Sequence, residues 1–80
     1  MKAPRRPRLT RRDRSVCAAL AQARVSAGLT QGELARRLGR PCSYVIGIEA
    51  GEHRPDIVEF IELARCLHVD PASLLERVLG

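Results

Sequence analysis

The chain stops its helices early, and this limits it more than any other feature. Thr30-Gln31-Gly32-Glu33 has the form of a capping box. The Thr30 hydroxyl accepts from the Glu33 amide and the Glu33 carboxylate accepts from the Thr30 amide. Leu34, Ala35 and Leu38 follow as a short apolar stripe, and Gly39 ends it. Pro41 suits the first position of a new helix, where its missing N–H would have no partner anyway. Gly51 stops that helix and Pro55 prevents its resumption. Helices this short are marginal alone, because nucleation is unfavourable and few residues follow to offset it. They must be held by packing on other helices.

The rest of the chain supplies those helices. Val16, Leu20, Ala23 and Ala27 recur at helical spacing, and Gly28 closes their segment. Asp56-Ile57-Val58-Glu59 is a second capping box, and its helix is expected to bury Ile57, Phe60, Ile61, Ala64 and Leu67. Asp70-Pro71 reads as an N-cap followed by proline at the first position, opening a helix with Leu74, Leu75 and Val78. No useful length alternates at period two, so the fold class is all-α. Loops of two to four residues suit a compact bundle. At 80 residues there is room for one domain.

Charge divides the chain unevenly. Residues 1–14 hold seven basic residues against Asp13, a net +6, whereas residues 15–80 hold seven arginines against eight acids, a net −1. The expected organisation is a basic, flexible arm over 1–14 and a near-neutral domain over 15–80. Such an arm fits contact with nucleic-acid phosphates. Aromatic residues make up 2% of the chain, which argues against a stacking platform for single strands.

Other classes find little support. No apolar run approaches the roughly 18 residues of a membrane span. The basic N-terminus has no apolar core of the kind a secretory signal needs, so a cytoplasmic protein is expected. Cys17, Cys42 and Cys66 are odd in number and lack metal-ligand spacing, and Cys66 with His68 makes only two ligands. Asp56, Glu59 and Glu62 read as capping and surface acids. His53 and His68 have no evident catalytic partner, and no glycine-rich phosphate loop is present. No enzyme activity, metal or cofactor is expected.

The helical pair over 31–38 and 41–50 carries a more specific signal. Gly28-Leu29-Thr30-Gln31, Glu33-Leu34-Ala35, Leu38-Gly39, Ser43-Tyr44-Val45, Ile48-Glu49-Ala50-Gly51 and Arg54-Pro55 stand in an order and spacing that resembles the lambda-repressor/Cro-type helix-turn-helix family, also called the XRE family. Glu62-Leu63-Ala64, Leu67 and Val69-Asp70-Pro71 look like that family's later helices. The likeness covers about residues 15–79. It implies a compact five-helix, lambda-repressor-like bundle whose third helix enters the DNA major groove.

The resemblance also implies roles. Gln31 matches the family's phosphate-clamping glutamine, and Arg40, Tyr44, His53 and Arg54 match positions that touch the DNA backbone. Cys42, Ser43 and Gly47 fall on base-reading positions. Arg24 and Glu49 match a buried ion pair between the first and third helices. Placing Val45 inward turns Ser43, Ile46, Gly47 and Ala50 outward. Relatives usually carry Gln at position 42, a polar residue at 46 and Lys or Arg at 47, all of which this chain lacks. Its reading helix therefore cannot make bidentate contacts to guanine or adenine, although Ile46 can pack on thymine methyls and Ser43 can bond to several bases.

The function implied is a DNA-binding transcriptional regulator, a repressor that binds a two-fold-related operator as a homodimer. Leu74, Leu75, Val78 and Leu79 of the last helix are the expected dimer contacts. Two alternatives are the antitoxin of a toxin–antitoxin pair, whose partner would be a toxin, and a protein-interaction module that has lost specific DNA reading.

Overall fold

The computed structural model describes residues 9–80. Its five helices are α1 (Arg11–Ser26), α2 (Gln31–Leu38), α3 (Cys42–Glu49), α4 (Ile57–Cys66) and α5 (Pro71–Leu79), and no strand occurs among the described residues. None of these helices is long and apolar enough to cross a membrane. The all-α, five-helix expectation is met.

Local chemistry sets most of the ends. Reciprocal capping boxes open α2 at Thr30 and α4 at Asp56, and the Asp70 carboxylate caps α5 by accepting from the Ser73 amide. The α2–α3 turn depends on Gly39, which takes the left-handed conformation at φ 69°. A side chain at that φ would be strained, which is why glycine suits the tight corner. His68 takes the same kind of conformation after α4, with φ 57°.

A third capping box moves the expected boundary at 14/15. The Thr10 hydroxyl accepts from the Asp13 amide at 3.1 Å, and the Asp13 carboxylate accepts from the Thr10 amide at 2.8 Å. Helix α1 therefore begins at Arg11, and residues 11–14 belong to the domain. The part of the expected arm over residues 1–8 lies outside the described residues. From Thr10 onward the chain has ten arginines against nine acids, a net +1 instead of −1.

The core joins all five helices through Cys17, Leu20, Ala23, Leu34, Ala35, Val45, Ile48, Phe60, Leu63, Leu67 and Leu74, with Leu29 from the loop before α2. Helices α2 and α3 share the most extensive contact, α1 lies across α3 and α5, and α4 lies against α2 and α5. In α4 the buried stripe is Phe60, Leu63, Ala64 and Leu67, at i, i+3, i+4 and i+7. Ile57 and Ile61 were expected in that stripe, but they are 76% and 36% exposed. At 100° per residue they fall to one side of it, and the apolar residues of α4 are too numerous for a single face.

Helix α5 corrects a second expectation. Leu74 is 1% exposed and belongs to the core, so it is closed to a partner. Leu75 and Val78 are half-buried, and only Leu79 is largely exposed. Leu74→Ala should therefore destabilise the domain by about 3 kcal/mol, through lost burial and the cavity left behind. Leu79→Ala should cost well under about 1 kcal/mol. Urea denaturation of the two variants checks the difference.

Candidate nucleic-acid interface

The site starts from a carboxylate that three helices share. Glu49 ends α3 on its inward side, where Arg24 of α1 meets it in a two-pronged pair. Arg24 Nε donates to Oε2 at 2.6 Å and Nη2 donates to Oε1 at 3.0 Å. The remaining arm of Arg24 donates from Nη1 to the Leu29 carbonyl at 2.7 Å. Gln31, the first residue of α2, donates from Nε2 to Glu49 Oε1 at 3.0 Å. The two charged side chains are only 16% and 12% exposed. Burial pushes the Glu49 carboxyl up, but the hydrogen bonds from Arg24 and Gln31 outweigh it and leave its pKa below the ordinary 4.5.

This arrangement orients Gln31. One proton of its amide is taken by Glu49, and the second remains available to an acceptor outside. The residue stands at the positive end of α2, ahead of the first helical bond, which Leu34 donates to the Thr30 carbonyl. Such an end favours an anion, and a phosphate oxygen is the acceptor a helix terminus commonly takes.

Helix α3 sorts its side chains sharply. Cys42, Ser43, Ile46 and Ala50 are exposed, whereas Val45, Gly47 and Ile48 are buried. Gly47 was expected to face outward, and the reason it does not is His53. A Cβ built on Gly47 would lie 2.6 Å from His53 Cε1 and 2.9 Å from Nδ1. The imidazole rests on the bare backbone of α3, so Gly47 offers no atom to a groove.

His53 and Tyr44, both expected to touch a DNA backbone, pack their rings on each other with centroids 5.5 Å apart. His53 Nε2 and the Tyr44 hydroxyl are buried without hydrogen-bond partners. Burial, and secondarily the neighbouring Glu59 carboxylate, push the Tyr44 phenol well above its usual pKa. The His53 carbonyl accepts from the Cys17 thiol at 3.7 Å, which ties the loop after α3 to α1. The pair is a brace for the third helix.

Arg40 and Arg54 keep their charges at the surface. The Arg40 guanidinium lies 4.6 Å from the Tyr44 ring centroid and pairs with Glu59 at 2.9 Å. Arg54 pairs with Asp13 at 3.0 Å and is 59% exposed. Exposed pairs of this kind are worth little, so either arginine can be given up to a phosphate at small cost. Asp13 and Glu59, which hold them, were read in the sequence as an arm residue and a capping acid. The Thr10-x-x-Asp13 spacing was the available signal for Asp13, and the surrounding arginines obscured it.

An eight-residue third helix follows a glycine turn, with a polar clamp at the start of α2, and this is the geometry of a helix-turn-helix. A family model described as a helix-turn-helix domain matches residues 17–77. The chain belongs to the XRE-type helix-turn-helix family. A solved XRE-family-like protein from Pseudomonas syringae pv. tomato str. DC3000 is 43% identical, with 84% of this chain and 82% of that one covered at a TM-score of 0.78. The restriction-modification controller protein C.AhdI from Aeromonas hydrophila is 33% identical over 75% of this chain and 91% of its own, at a TM-score of 0.69. The clp gene regulator ClgR from C. glutamicum, 24% identical with a TM-score of 0.79 over 99% and 96% of the two chains, shares the fold. A comparison with functionally curated proteins gives no match. This XRE-type protein is thus a member of a family of DNA-binding transcriptional regulators.

The shared carboxylate gives the domain an acid limit. Because the folded pKa of Glu49 lies below the ordinary 4.5, its contribution is complete above that value and is lost as pH falls through the folded one. Glu49→Gln should lower stability by about 2–3 kcal/mol near neutral pH, since Arg24 is left half-paired in a poorly hydrated place. The gap to the wild type should close below pH 4.5, as followed by thermal melting across an acid pH series.

Proposed function

We propose that this protein is a transcriptional repressor that binds a two-fold-related DNA operator as a homodimer, with α3 in the major groove. The observation that carries this reading is the sharing of Glu49 between Gln31 and Arg24. It locks the phosphate-facing end of α2 to the helix that meets the bases, so backbone contact sets the register of α3. Arg40 and Arg54 supply further phosphate contacts at either side of the third helix, and the basic residues over 1–8 add charge along the DNA. A domain this small blocks a promoter by occupying it. The protein works in the cytoplasm, on the chromosome.

Two copies are needed because one module buries only about 600–1,000 Å² on DNA. Helix α4 provides the surface. Ile57 and Val58 are 76% and 60% exposed, and Ile61 lies beside them. The patch continues into a groove lined by Val16, Pro55, Phe60 and Leu75, together with the charged Asp13, Arg54, Asp56 and Glu59. A two-fold axis through such a patch lets it cover itself, removing from water apolar area that a monomer rarely leaves open. Of the α5 residues, Leu75 lines this groove beside Ile57, whereas Val78 lines a different one.

The test is binding to a duplex from the protein's own promoter region and to a random duplex over a range of salt. Both affinities should fall with salt, and the promoter duplex should be bound at least about 10³-fold more tightly. Equal affinity for the two would overturn the reading. Gln31→Ala should weaken both by about 1 kcal/mol and leave the preference nearly unchanged, because a phosphate bond carries no sequence information and Arg24 still holds Glu49. Ile57→Lys should leave the fold intact and turn the dimer into a monomer in sedimentation. A variant that stays dimeric places the interface elsewhere.

A further inference from the structure

The reading helix of this protein has had its polar chemistry turned away from the groove. Glu49 is held inward by Arg24 and Gln31, and the Tyr44 hydroxyl is buried. Gly47 has no side chain and lies under His53. What remains outward is Cys42, Ser43, Ile46 and Ala50, which fall within an arc of about 100° and so form one stripe along the helix. No amide, guanidinium, ammonium or carboxylate stands on it. Ile46, 46% exposed at the middle of the stripe, is its largest side chain.

That surface suits few base edges. The major-groove edges of guanine and adenine carry the N7 acceptor together with O6 or the N6 amino group, and cytosine carries its N4 amino group. An isoleucine pressed on any of these strips water from a polar atom and returns no hydrogen bond. The apolar group in the groove is the C5-methyl of a pyrimidine, present on thymine and on 5-methylcytosine. Ile46 is branched at Cβ and therefore stiff, so it loses little freedom on contact. Ser43 can donate or accept and tolerates several bases, and the Cys42 thiol is a weak donor.

We propose that Ile46 is the specificity-determining residue of this protein and that it reads the C5-methyl group of a pyrimidine in the major groove. The inference rests on the DNA-regulator reading. Selection is mainly by exclusion, since polar edges opposite Ile46 are penalised more than the methyl is rewarded. One buried methyl is worth about fourfold in affinity, or about 0.8 kcal/mol at 1.4 kcal/mol per tenfold.

The experiment selects duplexes from a random-sequence pool with the full-length protein. The enriched site is then rebuilt with thymine replaced by uracil at each invariant T–A pair, and with the same pair replaced by C–G or by 5-methylcytosine–G. Expected are invariant T–A pairs and a loss of about fourfold for each contacted thymine changed to uracil. A gain of 5-methylcytosine over cytosine alone would assign the methyl to methylated cytosine, and a loss with uracil alone would assign it to thymine. Ile46→Ala, with its melting temperature checked, should bind the methylated and unmethylated duplexes alike. Enrichment with no response to either methyl, or a response that persists in Ile46→Ala, overturns the role of Ile46 and leaves the regulator reading standing. A pool from which nothing is enriched overturns both.

Discussion

Glu49 is the point at which the helices that matter are tied together. Its carboxylate takes two hydrogen bonds from Arg24 of α1 and one from Gln31 of α2, while its own backbone ends α3. A charge this poorly hydrated is costly unless matched, and Arg24 matches it in both charge and shape. The cost of separating them gives α3 a definite angle to α1 and α2, which packing of small side chains alone would leave looser. In the proposed DNA complex that angle matters, because phosphate contacts fix the register in which a helix meets the bases.

A second brace acts on the other side of α3. The His53 ring occupies the space that a side chain at Gly47 would have filled, and it packs on Tyr44, over which Arg40 lies. Arg40 in turn reaches Glu59 on α4, and the His53 backbone reaches Cys17 on α1. The loop after α3 is thereby fastened to the two helices that flank it. The outward stripe of α3 is left narrow, uncharged and dominated by Ile46. Charge and the outward face of α3 are thus kept apart: Arg40 and Arg54 lie at its margins, and the helix between them shows a nearly apolar face.

Much of this was legible residue by residue. The capping boxes at Thr30 and Asp56, the left-handed Gly39 and the Asp70 cap are local interactions spanning about four residues, so the order of types is enough to locate them. The Arg24–Glu49 contact was legible only through resemblance, because the two partners are far apart in the chain and nothing in their spacing brings them together. Arg40 with Glu59 and Arg54 with Asp13 are likewise far apart in the chain, and no pattern marked them. The start of α1 was missed although its Thr10-x-x-Asp13 signal was present. Arginines surround that signal, and their charge read as an arm.

Alone, the sequence determined that this chain makes five helices, most of them short, where most of them begin and end, and that they must pack together to exist. These outcomes rest on caps, glycines and apolar spacing, which act over one or two turns. The tertiary structure decided which apolar residues are spent on the core and which are left outside. Periodicity names a face only up to rotation, so Ile57 and Ile61 of α4 and Leu74 of α5 exchanged their expected environments. The structure also decided which side chains α3 shows to solvent. Gly47 is buried because a histidine six residues later folds back onto it, and that return is held by the distant Cys17 thiol on the His53 carbonyl, which no local pattern marks.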